Sequence, residues 1–323
     1  MKAAVIGAFG ETPHYADFPE PPAEPGDIRI EVRAAVLENF DKLVAAGEHY
    51  ASARMLPGFP AIVGHGGVGV LDDGTLVAFG GVRPPYGTMA ERAVVPAQVR
   101  PHLTPIPAGV DPLLAAALPA AALTSLLPLR YGAELKPGQC VLINGATGVS
   151  GKLAIQIARL LGAGRIVATG RSETALATCR ELGADAVIDT RGSDDLLRAA
   201  FADAAGPGYD VVLDFLWGRP TELLLEALVP REAGFVTHVT RLVQIGQAAG
   251  PALSLKAESI RTSGVRISGG GDVPPQSVPQ AIAQVWAWLA EHRLTMAIEA
   301  VKLAEIADAW TRPTQGRRIV VVP

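Results

Sequence analysis

The fold is decided by one stretch of the chain, residues 140–156, which reads CVLINGATGVSGKLAIQ. Its first four residues are apolar and predict a buried strand, and apolar residues recur at helical spacing from Leu153 onward. Three glycines spaced G-x-x-G-x-x-G lie between them, at Gly145, Gly148 and Gly151. A strand, a glycine turn and a helix in this order are typical of the first half of a βαβ dinucleotide-binding unit.

Each glycine of this motif has its own expected role. Gly145 makes the tight turn, Gly148 lets the main chain approach a pyrophosphate, and Gly151 lets the helix pack close to the strand. The free N–H groups at the helix start, aided by the helix dipole, then hold the phosphates. Three further residues share this phosphate-binding loop and are predicted to contact the cofactor: Thr147, Val149 and Ser150. A structural turn without a ligand is the alternative interpretation.

The segment after the next predicted strand, residues 165–169, indicates which dinucleotide is bound. An NAD site carries a carboxylate there for the ribose hydroxyls, whereas this chain has Gly170, Arg171 and Ser172. A small residue leaves room for a 2′-phosphate, and a guanidinium with a hydroxyl can bind it. We therefore predict NADP(H), the alternative being a solvated Arg171. Lys152 either reaches a phosphate or is a solvated helix lysine.

Length and composition limit the class of protein. A chain of 323 residues is long enough for two domains, and 49% hydrophobic against 19% charged residues predicts a substantial core. The formal net charge of −4, without any lysine or arginine run, argues against a nucleic-acid partner. The two cysteines, Cys140 and Cys179, lie on predicted elements of the cofactor domain and are expected to be buried thiols rather than a disulfide.

The sequence predicts no membrane partner. Residues 1–6 form the start of a strand and lack the shape of a signal peptide. The apolar stretch 113–129 is interrupted by Pro119 and Pro128, so we expect a packed helix rather than a membrane span. These features predict a soluble, cytoplasmic protein.

The predicted elements divide into a β-rich part and an alternating part. Short strands with Pro- and Gly-rich connectors fill residues 1–110, at 3–6, 27–36, 67–71, 75–79 and 91–95, with a short helix at 38–46. After the glycine motif, strands alternate with helices, which implies a parallel sheet covered on both faces. Its later strands are predicted at 186–188, at 210–215, at either 235–239 or 242–245, and at 265–268. A helix at 278–292 carries two packing tryptophans, and a closing strand at 317–322 suggests that the chain returns to its first domain.

Several stretches, in this order, resemble the medium-chain dehydrogenase/reductase superfamily and its zinc-independent quinone oxidoreductase, or zeta-crystallin-like, branch. They are PGDIRIEV at 25–32, GTMAE at 87–91, LKPG at 135–138, LGAD at 182–185, VVLD at 211–214, LVQIG at 242–246 and GRRIV at 316–320. The segment 230–240 departs from the usual short link, which leaves the strand placement there open. The resemblance implies an α/β fold: a Rossmann doubly wound parallel sheet at 113–293 plus a GroES-like β-rich substrate domain at 1–112 and 294–323.

The resemblance also shows which catalytic group is missing. The zinc-dependent members use a cysteine, a His-Glu pair and a second cysteine, whereas this chain has Glu38 in the first position and Gly66 after His65. A catalytic zinc site needs three good protein ligands and an open place, so no metal is predicted. His65 is expected to line or underlie the cleft, with proton donation as a second interpretation.

Hydride transfer without a Lewis acid requires an acceptor that accepts hydride easily. Quinones and α,β-unsaturated carbonyls are such acceptors, and the protein needs only to orient the nicotinamide and donate a hydrogen bond to the acceptor oxygen. The hypothesis is an NADPH-dependent reductase of quinones or conjugated enones. An enoyl-thioester reductase, and an NADPH-binding structural or regulatory protein with little turnover, remain alternatives.

Few side chains are candidates on the acceptor side. Tyr50 and Tyr86 are the candidate hydrogen-bond donors, and for Tyr50 packing as a lid aromatic is the alternative role. Asp41 is expected to act as a cap or ion-pair partner rather than a catalyst, and the resemblance implies a contact of Thr124 with the cofactor amide. Five residues are predicted to follow the C-terminal ends of strands and to line the nicotinamide: Leu216, Ile245, Gly246, Ser268 and Gly269.

The predicted strand at 265–268 is expected at the edge of the sheet. In the resembling family two such edges pair and hide exposed backbone groups. The resemblance therefore implies a homodimer.

Overall fold

The computed structural model describes residues 1–230 and 234–323, except for the side chains of residues 100–102. Its contacts divide the chain into two compact units. The first unit combines Met1–Pro119 with Leu289–Pro323, and the second is Ala120–Trp288. The sequence placed these boundaries at 112 and 294 instead.

The described residues form strands and helices with the following bounds. The strands are β1 Lys2–Ile6, β2 His14–Asp17, β3 Ile28–Leu37, β4 Ala61–Ile62, β5 Gly66–Val70, β6 Leu76–Gly80, β7 Arg92–Val95, β8 Thr104–Pro105, β9 Cys140–Asn144, β10 Arg165–Gly170, β11 Ala186–Asp189, β12 Val211–Asp214, β13 Thr240–Gln244, β14 Val265–Gly269, β15 Ile298–Lys302 and β16 Arg318–Val322. The helices are α1 Asn39–Ala46, α2 Ser52–Met55, α3 Pro112–Leu127, α4 Val149–Leu160, α5 Glu173–Glu181, α6 Asp194–Ala205, α7 Gly218–Ala227, α8 Ala257–Thr262, α9 Ser277–Ala290 and α10 Ile306–Thr311.

The first unit is built on the long strand β3. One sheet has the order β15-β16-β3-β5-β6-β8, with β7 also paired to β3, and a smaller sheet has the order β2-β1-β4. Along the first half of β3, buried Ile30 and Val32 alternate with exposed Arg29 and Glu31, the two-residue period of a half-covered strand. The closing strand β16 pairs antiparallel with β3, which confirms that the chain returns to its first unit.

The second unit contains a six-stranded parallel sheet in the order β11-β10-β9-β12-β13-β14. The strand order reverses between β9 and β12, and both strands are buried along their whole length. The predicted α/β fold class is therefore confirmed. Of the two candidate positions for the fifth strand, 242–245 is close to the observed β13, and 235–239 forms no strand. The predicted edge position of β14 is also confirmed.

The long apolar helix α3 corrects one expectation. Pro119 lies inside this helix and does not interrupt it. Among the described helices, the stretch Pro112–Gly132 is long and apolar enough to cross a membrane. Its most apolar 18-residue segment is 56% buried inside the protein. Such burial is typical of a core helix. Cys140 and Cys179 are buried free thiols, as predicted.

Candidate cofactor and acceptor sites

The glycine turn connects β9 to α4 at the point where the strand order reverses. Gly145 has a φ of +90°, which a residue with a side chain rarely adopts. A Cβ atom on Gly151 would lie 2.5 Å from the Cα atom of Ala146, so only glycine lets the helix approach the turn this closely. A Cβ atom on Gly148, in contrast, would meet nothing within 4 Å. The turn is therefore closely packed at Gly151 and open at Gly148.

The open side of the turn is suited to an anion. Gly148 is the N-terminal cap of α4, and the first turn of this helix contains no acidic residue. The first N–H groups of any helix lack intrahelical partners and carry the positive end of its dipole. The N–H groups of Val149 and Ser150 belong to this set, and buried Ser125 donates a hydrogen bond to the Ser150 carbonyl over 3.3 Å. The described residues therefore fit a pyrophosphate group.

A buried polar network lies directly beneath the turn. The Thr169 hydroxyl accepts the N–H of Gly145 at 2.8 Å and donates to Oδ1 of Asn144 at 2.9 Å. The Asn144 amide donates to Oδ1 of Asp214 at 3.0 Å, and the Thr221 hydroxyl donates to Oδ2 of Asp214 at 2.7 Å. Each of these four side chains is fully buried. The network links the ends of β9, β10 and β12.

Asp214 is the ionisable member of this network. It also accepts the main-chain N–H groups of Leu216 at 3.0 Å and Trp217 at 3.1 Å, which follow β12. Burial raises the pKa of Asp214 above its ordinary value, and the hydrogen bonds from Thr221, the main chain and Asn144 offset this only in part. Asp214 therefore fixes the loop that follows β12, next to the glycine turn.

The end of β10 carries the residues that the sequence assigned to the 2′-phosphate. A Cβ atom on Gly170 would lie 2.3 Å from the Thr147 methyl carbon, so this position has no room for a carboxylate side chain. Arg171 is exposed. Ser172 is the N-cap of α5, where its hydroxyl oxygen accepts the N–H of Ala175 at 3.4 Å.

The remaining predicted cofactor residues are distributed over three elements. Ile245 and Gly246 follow β13, and their N–H groups bind the Asp214 carbonyl at 2.8 and 3.1 Å. Ser268 and Gly269 are the last two residues of β14, where they pair with Val243 and Gln244. Thr124 is exposed on α3, where its hydroxyl donates to the Ala121 carbonyl at 2.7 Å.

The first unit contains a cavity of about 260 Å³. Its lining is mainly apolar with a few polar groups, the composition typical of small-molecule sites. The lining residues are Asp41, Val44, Ala45, Arg54, Met55, Leu56, Ile62, Val63, Gly64, His65, Gly81, Val82, Pro84 and Tyr86.

The structure separates the two candidate tyrosines. Tyr86 lines the cavity, its hydroxyl donates to the Glu20 carbonyl at 3.2 Å, and its ring packs edge-on against Phe18. Tyr50 is 94% exposed and stacks on His49, with ring centroids 4.0 Å apart. Of the two, only Tyr86 belongs to the set of cavity-lining residues.

A cluster of charged groups lies at one wall of the cavity. Nδ1 of His65 lies 2.7 Å from Oδ1 of Asp41, and its Nε2 lies 3.5 Å from Oε2 of Glu38. Arg318 from β16 pairs with the other Glu38 oxygen at 2.9 Å. Asp41 also accepts the Glu38 N–H at 2.8 Å and thereby caps α1, which matches its expected structural role.

The protonation of His65 is controlled by this cluster. Burial by itself lowers the pKa of His65, but the hydrogen bond to Asp41 and the negative charges of Asp41 and Glu38 outweigh it, against the opposing charge of Arg318. The net result is a pKa above the ordinary value for histidine. Among the described residues, no group of three or more His, Cys, Asp or Glu side chains is arranged to hold a metal ion.

Sequence reasoning missed the buried network and the ion pair of Arg318 with Glu38, although it had singled out Glu38, Asp41 and His65. Asn144 and Thr169 gave one available signal, which is a polar residue at the end of an apolar run. Arg318 gave none, because its partner Glu38 is 280 positions away in the chain.

Fold and site together define a class. A parallel sheet with a glycine turn at the reversal of its strand order, joined to a β-rich unit with a small apolar cavity, is the architecture of a two-unit dinucleotide-dependent oxidoreductase.

Comparison with known proteins shows which families the chain resembles. A family model described as zinc-binding dehydrogenase matches residues 150–285, a segment that includes neither Glu38 nor His65. A probable NADPH-dependent quinone reductase of Emericella nidulans is 26% identical over the whole of both chains. The crystal structure of a quinone oxidoreductase of Thermus thermophilus, also determined in complex with NADPH, has a TM-score of 0.74 and 27% identity, each chain being fully covered. The chain is therefore similar to a zinc-binding dehydrogenase segment over residues 150–285 and to quinone oxidoreductases over its whole length.

One further relative matches only part of this chain and is a much longer protein. A mycocerosic acid synthase-like polyketide synthase of Mycobacterium tuberculosis is 32% identical over 64% of this chain. The matched region is 10% of that protein.

Proposed function

We propose that the protein is an NADPH-dependent oxidoreductase that transfers hydride to a quinone, or to a related α,β-unsaturated carbonyl compound, without a metal ion. The observation that carries this proposal is the glycine turn, which is open at Gly148 and is followed at the next strand end by Gly170 and Arg171 instead of a carboxylate. The names of the Emericella and Thermus relatives support the same cofactor and acceptor.

NADP(H) would be held by residues of the second unit. We assign the pyrophosphate to the turn and the first turn of α4, and the 2′-phosphate to Arg171 with Ser172. The nicotinamide end is assigned to the loops after β12 and β13 and to the end of β14. The assigned set is Thr124, Gly145, Thr147, Gly148, Val149, Ser150, Gly151, Lys152, Arg171, Ser172, Leu216, Ile245, Gly246, Ser268 and Gly269. When bound, the cofactor supplies the hydride.

We assign the acceptor to the cavity of the first unit. A quinone is flat and apolar with a carbonyl at its edge, and the mainly apolar lining with a few polar groups suits it. Tyr86 remains a candidate for orienting the ring, although its hydroxyl proton is already donated to Glu20. Tyr50 remains a candidate only as an exposed aromatic near α2.

A steady-state assay of NADPH oxidation tests the proposal. The acceptors are 1,4-benzoquinone, 9,10-phenanthrenequinone and crotonyl-thioester, each measured with NADPH and with NADH. We expect turnover with the quinones and a preference for NADPH. NADPH binding without turnover of any acceptor would contradict the proposal and favour a structural or regulatory NADPH-binding protein.

Enoyl-thioester reduction is the second candidate. The similarity to a segment of a polyketide synthase favours including a thioester among the acceptors. A carrier-bound substrate needs cationic groups for its phosphate. Arg54 is exposed at the cavity, whereas Arg83 is engaged by Glu24 at 3.3 Å and Asp27 at 3.5 Å. Faster turnover of crotonyl-thioester than of either quinone would select this candidate.

We also propose that the enzyme is a cytoplasmic homodimer joined through β14. This strand is the edge of a parallel sheet, so one side of its backbone is available for pairing with a second copy. Exposed apolar side chains in the described parts of the same region support an interface, namely Phe235, Val239, Leu255 and Ile260. Light scattering at micromolar concentration is expected to give twice the mass of the chain, and a monomer mass would contradict the proposal.

A further inference from the structure

We propose that His65 is the proton donor of the reductase, giving its Nε2 proton to the acceptor oxygen inside the cavity of the first unit. This inference rests on the proposed function, because it assigns a role within that reaction. Neither the resemblance nor the matched family segment assigns such a role to His65.

The imidazole of His65 is held in one orientation. A carboxylate only accepts hydrogen bonds, so the 2.7 Å contact with Asp41 places a proton on Nδ1. Asp41 is itself fixed, since it accepts the N–H of Glu38 and is buried. The Phe40 ring packs edge-on against the imidazole with centroids 4.7 Å apart. Nε2 makes a longer contact than Nδ1 does, 3.5 Å to Oε2 of Glu38.

The charges around His65 keep a second proton on the ring. Asp41 on α1 and Glu38 just before it are negative, Arg318 on β16 is positive, and Arg54 on α2 lines the same cavity. The hydrogen bond to Asp41 and the two negative charges raise the pKa of His65 in spite of its burial. A raised pKa favours the imidazolium form of His65, and an imidazolium can act as a general acid.

The other polar groups of the cavity are less suited to donate a proton. A guanidinium such as that of Arg54 serves as a hydrogen-bond donor rather than as an acid. The Tyr86 hydroxyl donates to the Glu20 carbonyl. Asp41 is bound through both carboxylate oxygens. His65 is thus the cavity-lining group with both a transferable proton and an available atom.

The proposed step balances in atoms and charge. A quinone that receives a hydride, two electrons with one proton, becomes a hydroquinone monoanion, while NADPH is oxidised to NADP⁺. The Nε2–H bond of His65 breaks and an O–H bond forms on the anion, which yields the neutral hydroquinone. The neutral imidazole regains its proton from water. Since the acid must be protonated, turnover is expected to fall as the pH rises through the pKa of His65.

The experiment compares His65→Gln with the control His14→Gln, which makes the same change at an exposed position on β2. We expect kcat with 1,4-benzoquinone to fall about 100-fold in His65→Gln. The falling limb of its pH profile should disappear, while NADPH affinity stays unchanged. The control should keep the wild-type rate and profile.

Asp41→Asn provides a second measurement that does not depend on His65→Gln folding. Asparagine still accepts the Glu38 N–H but removes a negative charge from His65, so the falling limb should move to lower pH. An active wild type whose pH profile is unchanged by both variants would overturn the role of His65 alone. A wild type inactive with every quinone would overturn the proposed function and the role of His65 together.

Discussion

The side-chain amide of Asn144 donates to the carboxylate of Asp214 over 3.0 Å, and both side chains are completely buried. The two residues end β9 and β12, the neighbouring strands between which the strand order reverses. The Thr169 hydroxyl bonds to both Asn144 and the N–H of Gly145. The Asp214 carboxylate is therefore linked to the first glycine of the turn. The geometry of the phosphate-binding turn therefore depends on residues that do not contact a phosphate.

Replacing Asp214 should destabilise the second unit. Asp214→Ala leaves the Asn144 amide, the Thr221 hydroxyl and two main-chain N–H groups without their acceptor inside the sheet. We expect a loss of about 3 kcal/mol in the free energy of unfolding, measured by urea denaturation, together with weaker NADPH binding. Asp203→Ala, at an exposed site on α6, is the control and should change neither quantity. Equal midpoints for the two variants would show that the network contributes little.

The pH dependence of this contribution has a definite sign. Because the pKa of Asp214 is raised in the folded protein, the native state keeps its proton at pH values where the unfolded chain has lost it. The stabilisation that comes from this retained proton is complete below the pKa of Asp214 in the unfolded chain. It is lost as the pH rises through the pKa of Asp214 in the folded protein. Asp214→Asn cannot titrate, so the free energy of unfolding of the wild type minus that of this variant should decrease from acidic to neutral pH. A series of urea titrations measures this difference, and an increase with pH would contradict the assignment.

Arg171 is expected to discriminate between the two nicotinamide cofactors. Its loss removes one charge-assisted contact, worth about 1.5–3 kcal/mol, so Arg171→Ala should weaken NADPH binding roughly tenfold to a hundredfold. NADH has no 2′-phosphate, and its affinity should change little. Arg180→Ala, an exposed arginine on α5, is the matched control. Calorimetry with both cofactors checks this, and equal losses would refute the phosphate role.

The sequence was most informative where the physics is local. The turn at Gly145, the close approach at Gly151 and the apolar runs of the parallel sheet all follow from constraints on neighbouring residues. The buried network was missed because its contacts join residues such as Asn144 and Asp214, 70 positions apart. A polar residue at a strand end looks the same in the sequence whether it faces water or a buried partner.

The first unit was less predictable for related reasons. Strands β2, β4 and β8 are only two to four residues long, too short to show a periodic pattern. Their pairing is set by the long strands beside them rather than by their own composition. Tyr50 had the residue type expected of a hydrogen-bond donor, but exposure depends on packing that composition does not reveal.

Cofactor preference should not be reversible by a single change at the end of β10. Gly170→Asp introduces the carboxylate of an NAD site, yet its Cβ atom would lie 2.3 Å from the Thr147 methyl group. We expect this variant to bind both cofactors more weakly than the wild type. Thr147→Ser removes only that methyl group, so the double variant should bind NADH better than Gly170→Asp does. Fluorescence titration measures both affinities. Improved NADH binding by Gly170→Asp alone would contradict this expectation, because the turn would then have moved to make room for the new side chain.

Two glycines of the same turn should respond to alanine in opposite ways. A Cβ atom on Gly151 would lie 2.5 Å from main-chain atoms that cannot move aside, so Gly151→Ala should lower the urea midpoint, with a loss of about 1–3 kcal/mol typical of overpacking. A Cβ atom on Gly148 meets nothing within 4 Å, so Gly148→Ala should leave the midpoint unchanged. In that variant the added methyl group instead occupies the space through which the pyrophosphate approaches the main chain, and NADPH affinity should fall. A stable Gly148→Ala variant with unchanged NADPH affinity would mean that the cofactor does not bind against this turn, because a pyrophosphate bound there would meet the added methyl group.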